Sequence, residues 1–428
     1  MCTFLKRITF LFVLTLCGLA SYAHTGLFSD TTRAYAVPTL SRTPAGEVAL
    51  SWTEKDNNGT IYFYWARSTD KGKTFGDKKL IYASSGIGNS RLMRPKLLFR
   101  KNGSPVAVFA LRGPEPANAQ ASAAPTAEHN HGGHEGQNAP KTDASKPARG
   151  GGRPRDLRIV YVTSADQGNT WTLPEPVHAD KTPNIVRGFF DATVLANDEI
   201  AVTWLNDIPG NEHEQRDLRL VTTAGGKFGA ERILDPYVCA CCNISLLVDP
   251  VGTLHVYYRE NQDNIRDIAR MSSTDNGKTF TKPAILSKDN WQINGCPHSG
   301  PTSSAGGGNP LVAWFSGTTD SPGIRVVNGQ GKRLFVLDDP TAKNAYLVPA
   351  AKSSVLLWEQ SQPSESGMSS VIAFRTIDAA GAAATQYVKN AQNGTNASGV
   401  VVDGQLLVAY EVRKPNNKNG IGWASVSL

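Results

Sequence analysis

Ser68-Thr-Asp-Lys-Gly-Lys-Thr-Phe75 decides the fold, because the same phrase returns twice: Ser164-Ala-Asp-Gln-Gly-Asn-Thr-Trp171 and Ser273-Thr-Asp-Asn-Gly-Lys-Thr-Phe280. Each copy reads S-x-D-x-G-x-T followed by Phe or Trp. An Asp in this setting can accept hydrogen bonds from backbone N–H groups two or three residues on, and Gly supplies a positive φ, so the phrase encodes a tight hairpin turn. The closing aromatic packs the turn onto the sheet beneath it. Asp70, Asp166 and Asp275 are 96 and 109 residues apart, about two units of roughly 50 residues each. A degenerate copy without the Asp lies at Thr222 to Phe228.

Working outward, β-rich runs such as Glu47–Glu54, Thr60–Arg67, Pro105–Leu111, Leu157–Thr163 and Glu199–Leu205 flank these turns. Composition agrees. The 428 residues carry 40 Gly and 25 Pro with only 19% charged side chains, which disfavours coiled coils, long helical bundles and wholesale disorder. The formal net charge of +7 is spread along the chain without a long Lys/Arg run, so a nucleic-acid partner is not expected.

The three segments resemble Asp-box (BNR) repeats, the turn signature of sialidase-like β-propellers. The resemblance implies an all-β propeller over residues 24–428. In such propellers the box closes the turn between a blade's third and fourth strands, away from the ligand face, so Asp70, Asp166 and Asp275 are structural. Inner strands are expected to open near Val37, Arg94, Phe190, Ile244, Pro301, Leu347 and Ser398. Seven segments allow six blades or seven, depending on whether the last segment completes the first blade.

At the start of the chain, Lys6 and Arg7 precede an apolar run from Ile8 to Leu19, and small residues follow at Ala20, Ser21 and Ala23. This is the pattern of a cleaved secretory signal over residues 1–23. It predicts an exported protein, periplasmic or extracellular, with no membrane span; a monomer is expected. Residues 113–155 interrupt the repeat with an Ala-, Pro-, Gly- and His-rich insertion containing Glu128-His-Asn-His-Gly-Gly-His-Glu135. Its composition cannot bury a core, and it is expected to be disordered.

Sialidases hold the substrate carboxylate with three arginines, since guanidinium forks pair with carboxylates in bidentate fashion. The first lies in a Tyr/Phe-Arg-Ile-Pro motif. The comparable stretch here reads Tyr35-Ala-Val-Pro38, with Ala36 in place of the arginine. The next arginine usually ends the second strand in an Asp-x-Arg sequence, where this chain reads Thr53-Glu-Lys-Asp56. Asp56 is the candidate acid. Arg94, Arg187, Arg259, Arg266 and Arg325 are the candidates for a rebuilt anion site for a small acidic glycan.

Four cysteines follow the signal: Cys239, Cys241 and Cys242 in Tyr237-Val-Cys-Ala-Cys-Cys-Asn-Ile-Ser245, and Cys296 in Asn294-Gly-Cys-Pro-His-Ser-Gly-Pro301. An even count in an exported protein makes disulfides one reading. Adjacent Cα atoms are about 3.8 Å apart, however, below the usual disulfide span, so Cys241 and Cys242 make a poor pair. In a propeller both segments precede an inner strand and open on one face. His298 follows two residues after Cys296. His213 and the arm carrying His129, His131 and His134 occupy loops of the same face and are candidate metal-capturing groups. Thiolates with imidazole select Cu(I) or Zn(II), and C-x-C-C lacks the C-x2-C spacing of zinc fingers. Copper is therefore the favoured cofactor, with zinc second. The paired C-x-C-C and G-C-P-x-x-G-P segments resemble a bacterial exo-α-sialidase-like branch of the same superfamily.

The sequence thus supports three readings: a non-hydrolytic propeller binding a soft metal through Cys239, Cys241, Cys242, Cys296 and His298; a sialidase-type hydrolase acting on acidic sugars; and a disulfide-stapled propeller that binds a glycan or a protein.

Overall fold

The alternating runs fold as strands, and in the computed structural model they collect into seven antiparallel sheets of four or five strands. The structure describes residues 25–113, 156–210, 215–365 and 367–428. Among these residues no helix is long and apolar enough to cross a membrane. The inner strands of blades one to seven are Ala34–Arg42, Lys96–Phe99, Arg187–Val194, Ser245–Val248, Thr302–Ser304, Lys343–Pro349 and Gly394–Val402. The protein is therefore a seven-bladed β-propeller.

Ring closure decides between the six and seven blades that the sequence left open. The seventh blade is a full sheet of its own, and its outer strand is Thr25–Phe28 from the start of the described chain. That strand pairs antiparallel with Gly420–Ser427, in the register Thr25 to Ala424. Gly26 makes the pairing possible, because a Cβ there would lie 1.9 Å from the Trp423 ring. Phe28 then stacks on Trp52 of blade one at 5.3 Å and touches Trp423 at 4.8 Å, tying the first blade to the last. Joining the ends in one sheet removes the unpaired edge that an open ring would expose.

The second strands are buried on both faces over most of their length, and the core is divided among the seams. Each of the seven junctions between neighbouring blades holds its own apolar cluster, such as Leu50, Trp52, Leu407 and Ile421 between blades one and seven. Trp52, Trp65, Trp204, Trp314 and Trp358 are almost completely buried in these seams. A buried aromatic of this kind removes about 150–250 Å² from water, ~4–6 kcal/mol before entropy is counted.

The Asp-box turns join third to fourth strands. In the second box, Asp166 accepts from the Thr170 hydroxyl at 2.7 Å, the Thr170 N–H at 2.8 Å and the Ser164 hydroxyl at 2.8 Å. These bonds, the Thr170 hydroxyl foremost, hold the carboxyl well below its usual range. Gly168, at φ 81°, puts its backbone against blade one, and a Cβ there would lie 2.4 Å from the Trp65 ring. The degenerate turn of blade three is rescued from outside: Glu199 accepts from the N–H groups of Gly225 at 2.7 Å and Gly226 at 3.3 Å, and from the Thr223 hydroxyl. In blade five Asn328 accepts from Gln330 and Lys332 N–H in the corresponding turn.

Candidate metal centre

The outer strand of blade three, Arg232–Cys239, ends at its first cysteine, and the chain turns through Cys241 and Cys242 into the inner strand of blade four at Ser245. This connection lies at the opposite end of the sheets from the Asp boxes. The turn folds back on itself and sends three side chains inward. Cys239, Cys241 and Cys242 are 1%, 4% and 2% exposed and pack against Phe189. Their sulfurs lie 3.9 Å (Cys239 to Cys241) and 3.5 Å (Cys239 to Cys242) apart. A disulfide needs about 2.05 Å. Three sulfurs around one ion at metal–sulfur bonds of about 2.3 Å are separated by roughly 3.8–4.0 Å, close to the spacing observed. All four cysteines of the described residues are free thiols.

A second group adjoins the first. Cys241 Sγ, Cys296 Sγ and a His298 ring nitrogen lie within 4.8 Å of one another, as do the ligand atoms of the first trio. Cys241 is common to both. Cys296 is exposed and His298 half-buried, so the second trio opens outward from the first. His298 Nδ1 lies 3.0 Å from the Cys296 carbonyl oxygen, which can only accept; Nδ1 therefore carries the proton and the lone pair falls on Nε2.

Two loops from different blades are thus held in register, chiefly by Asn243 and Arg259. Asn243 Oδ1 accepts from the Gly300 N–H at 3.0 Å, and Asn243 Nδ2 donates to the Pro301 carbonyl at 3.3 Å. Arg259, 2% exposed, donates through Nε to the Ser299 carbonyl at 2.9 Å and through Nη2 to the Phe315 carbonyl at 2.9 Å. Arg91, in the connection between blades one and two, donates to the His298 carbonyl at 3.1 Å.

Arginines also set the electrostatics. Arg266 Nη1 donates to Cys239 Sγ at 3.4 Å, and this guanidinium is 5% exposed. The Cys239 thiol is held well below its usual pKa, first by the Cys241 and Cys242 S–H groups that face it and further by Arg266. Those two thiols move the other way: burial pushes Cys242 up to about 12, and Cys241 is raised by its hydrogen bonds within the trio. The trio thus favours negative charge on Cys239, which the other two thiols face, with Arg259 and Arg91 favourably placed toward Cys242. A buried anionic centre with cationic neighbours suits a metal–thiolate complex, which carries net negative charge when Cu(I) or Zn(II) meets three thiolates. The Cys/His cluster could coordinate a metal ion.

The remaining candidates are placed as follows. Arg94 lines an axial cavity of about 300 Å³ to which inner strands of all seven blades contribute, together with Arg91, Lys96, Asp191 and Asn243. Its guanidinium donates to the carbonyls of Pro38 at 2.7 Å and Asn396 at 3.0 Å. Arg187 pairs with Asp156 and Asp180, and Arg325 donates to the Thr318 hydroxyl at 2.6 Å and faces Asp289 at 3.6 Å. The five arginines thus do not meet in one pocket: Arg259 and Arg266 adjoin the cysteine trio, and Arg94, Arg187 and Arg325 are engaged elsewhere. Next to Ala36, which stands in place of the sialidase arginine, Val37 takes φ 50° and gives its N–H to Glu411 at 2.7 Å. Asp56 caps a surface turn, accepting from Asn58 and Thr60 N–H and from the Tyr62 hydroxyl. His129, His131, His134 and His213 lie outside the described residues, as does the signal segment. Sequence reasoning overlooked Arg91 and Asn243; Gly300, the second glycine of the G-C-P-x-x-G-P segment, was the signal available.

Comparisons with known proteins agree on the fold. A family model described as a BNR repeat-like domain matches residues 139–305. No curated protein matches the chain in sequence. Among solved structures, an ulvan lyase of a polysaccharide lyase family is 13% identical with a TM-score of 0.54, covering 94% of this chain and 97% of its own. A protein of unknown function from Dyadobacter fermentans is 15% identical with a TM-score of 0.52, covering 95% and 98%. The intramolecular trans-sialidase of Ruminococcus gnavus is 13% identical, with a TM-score of 0.49 and coverage of 94% and 97%. This chain has a β-propeller fold with BNR-type repeats, similar in architecture to the ulvan lyase and the Dyadobacter fermentans protein.

Proposed function

We propose that this protein is an exported, non-hydrolytic Asp-box propeller that binds a soft metal ion, Cu(I) before Zn(II), through Cys239, Cys241 and Cys242, with Cys296 and His298 at the same mouth. The observation that carries the reading is the buried sulfur trio. Its 3.5 and 3.9 Å spacings suit ligands of one ion, and a neighbouring arginine supports its charge. Trigonal thiolate coordination favours Cu(I), a soft ion satisfied by three ligands; Zn(II) prefers a fourth. Export is supported by the charged, apolar and small-residue pattern of residues 1–23. The separate engagement of the five arginines and the turn-capping role of Asp56 favour binding over glycoside hydrolysis.

The test is elemental analysis of the unreduced, periplasmically expressed chain, with free thiols counted on the same sample. The reading expects near-stoichiometric copper in the wild type and its loss in Cys242→Ser. Equal metal content in the two proteins refutes it.

A further inference from the structure

Resting on the metal-binding reading, the geometry points to a division of labour between the two trios. We infer that Cys241, Cys296 and His298 form an entry position for Cu(I), and that the ion passes from it to the buried Cys239–Cys241–Cys242 position by exchange of ligands around Cys241.

Three observations carry this. Cys241 belongs to both trios, so the ion can keep one metal–sulfur bond throughout the transfer. Exposure is graded along the path: Cys296 is exposed, His298 half-buried, Cys241 buried, and Cys239 and Cys242 are 1% and 2% exposed at its end. The Asn243 side chain also fastens the cysteine turn to the backbone of Gly300 and Pro301, and Arg259 holds Ser299, so the outer ligands are held in place without a metal. The His298 backbone is held as well, at φ 48° with its carbonyl bound by Arg91.

The exchange balances without a redox partner. Copper stays Cu(I). Its bonds to His298 nitrogen and Cys296 sulfur break as bonds to Cys239 and Cys242 sulfur form. Cys242 gives up its thiol proton, and the released Cys296 thiolate takes one up from solvent. The Cys241 and Cys296 thiol protons leave to solvent when the ion first binds, and any proton on Cys239 leaves with that of Cys242 at the transfer. Sharing one ligand between positions lowers the barrier to such a shift, because the ion is never stripped to a bare state. An exposed entry also answers how an ion reaches sulfurs that solvent does not.

The experiment measures Cu(I) loading and extraction by a chromophoric Cu(I) chelator, anaerobically and on the full mature chain. It compares the wild type with Cys296→Ser and with His298→Asn, since Asn tolerates the positive φ of that position. An entry position is a kinetic device. Loading and extraction should both slow by about tenfold, ~1.4 kcal/mol of barrier, while the affinity is unchanged within experimental error. Unchanged rates in both variants overturn the entry position and leave the three-sulfur reading standing. A fall in affinity that matches the fall in loading rate also overturns it, because Cys296 and His298 are then ligands of the resting ion. Absence of Cu(I) from the wild type overturns both readings. Near-ultraviolet circular dichroism identical to wild type shows that the variants are folded.

Discussion

The α-carbon of Gly300 packs so closely on Asn243 that a Cβ at position 300 would lie 1.8 Å from the Asn243 carbonyl oxygen. This contact joins the loop that carries Cys296 and His298 to the turn that carries Cys239, Cys241 and Cys242. Adding a methyl group has to drive the two apart. Gly300→Ala should lower unfolding stability by about 1–3 kcal/mol, the range of overpacked sites. It should also slow Cu(I) loading by separating Cys241 from Cys296 and His298. Denaturant midpoints and chelator-competition kinetics measure both effects, and a variant with wild-type values in each refutes the link.

Arg266 gives the Cys239 sulfur its one charged partner among the bonds described. Replacement by Met should raise the Cys239 pKa toward the ordinary thiol value, seen as an upward shift in the thiolate ultraviolet absorbance of the metal-free protein. The sign for stability follows. A depressed thiol pKa contributes stability that is present above the unfolded-state value and is lost as pH falls through the folded-state value, so Arg266→Met should shrink that contribution. Loss of this supporting group should also weaken Cu(I) binding by about 10–100-fold. An unshifted titration would mean that the thiols alone set the thiolate.

Glu260 begins the loop that leads to Arg266 and is 6% exposed. Burial, with Asp235 beside it, raises its carboxyl to about 8. Between its ordinary value near 4.5 and about 8 the folded protein keeps a proton that the unfolded chain has lost. Stability should therefore fall as pH rises through this window, by up to ~1.4 kcal/mol per pH unit, and level off above it. Glu260→Gln mimics the neutral acid and should flatten the slope. Urea midpoints from pH 5 to 8 decide the matter; a slope kept by the variant assigns it to another group.

Hydrolysis of sialosides should be absent. Arg94 is committed to two backbone carbonyls, and Arg187 and Arg325 are committed to carboxylates elsewhere. A fluorogenic sialoside incubated at high protein concentration across a range of pH should show no turnover above a heat-treated control. Turnover that disappears in Asp56→Ala would restore the hydrolase reading.

Much of the fold was legible because its signal is local. Within S-x-D-x-G-x-T, acceptor, donors and positive-φ glycine all fall within seven residues, so three blades announced themselves. Blade three showed only a degenerate copy, because Glu199 reaches its turn from another hairpin, and blade five uses Asn328 in place of Asp. Ring closure stayed open for a related reason: pairing Thr25–Phe28 with Gly420–Ser427 joins strands at opposite ends of the chain, and nothing within either strand specifies the partner. Adjacency made the cysteine trio readable. Its arginines were not, since Arg91 and Arg266 come from loops of blades whose proximity only the closed ring creates. The same loss of locality explains why five arginines that looked interchangeable in sequence divide among separate places, with only Arg259 and Arg266 together beside the cysteines.

The most direct measurement is X-ray absorption at the copper edge of the Cu(I)-loaded wild-type chain. The account predicts a first shell of three sulfurs at about 2.3 Å that loses sulfur in Cys242→Ser. A shell of nitrogen and oxygen, or a sulfur shell untouched by that substitution, would contradict it.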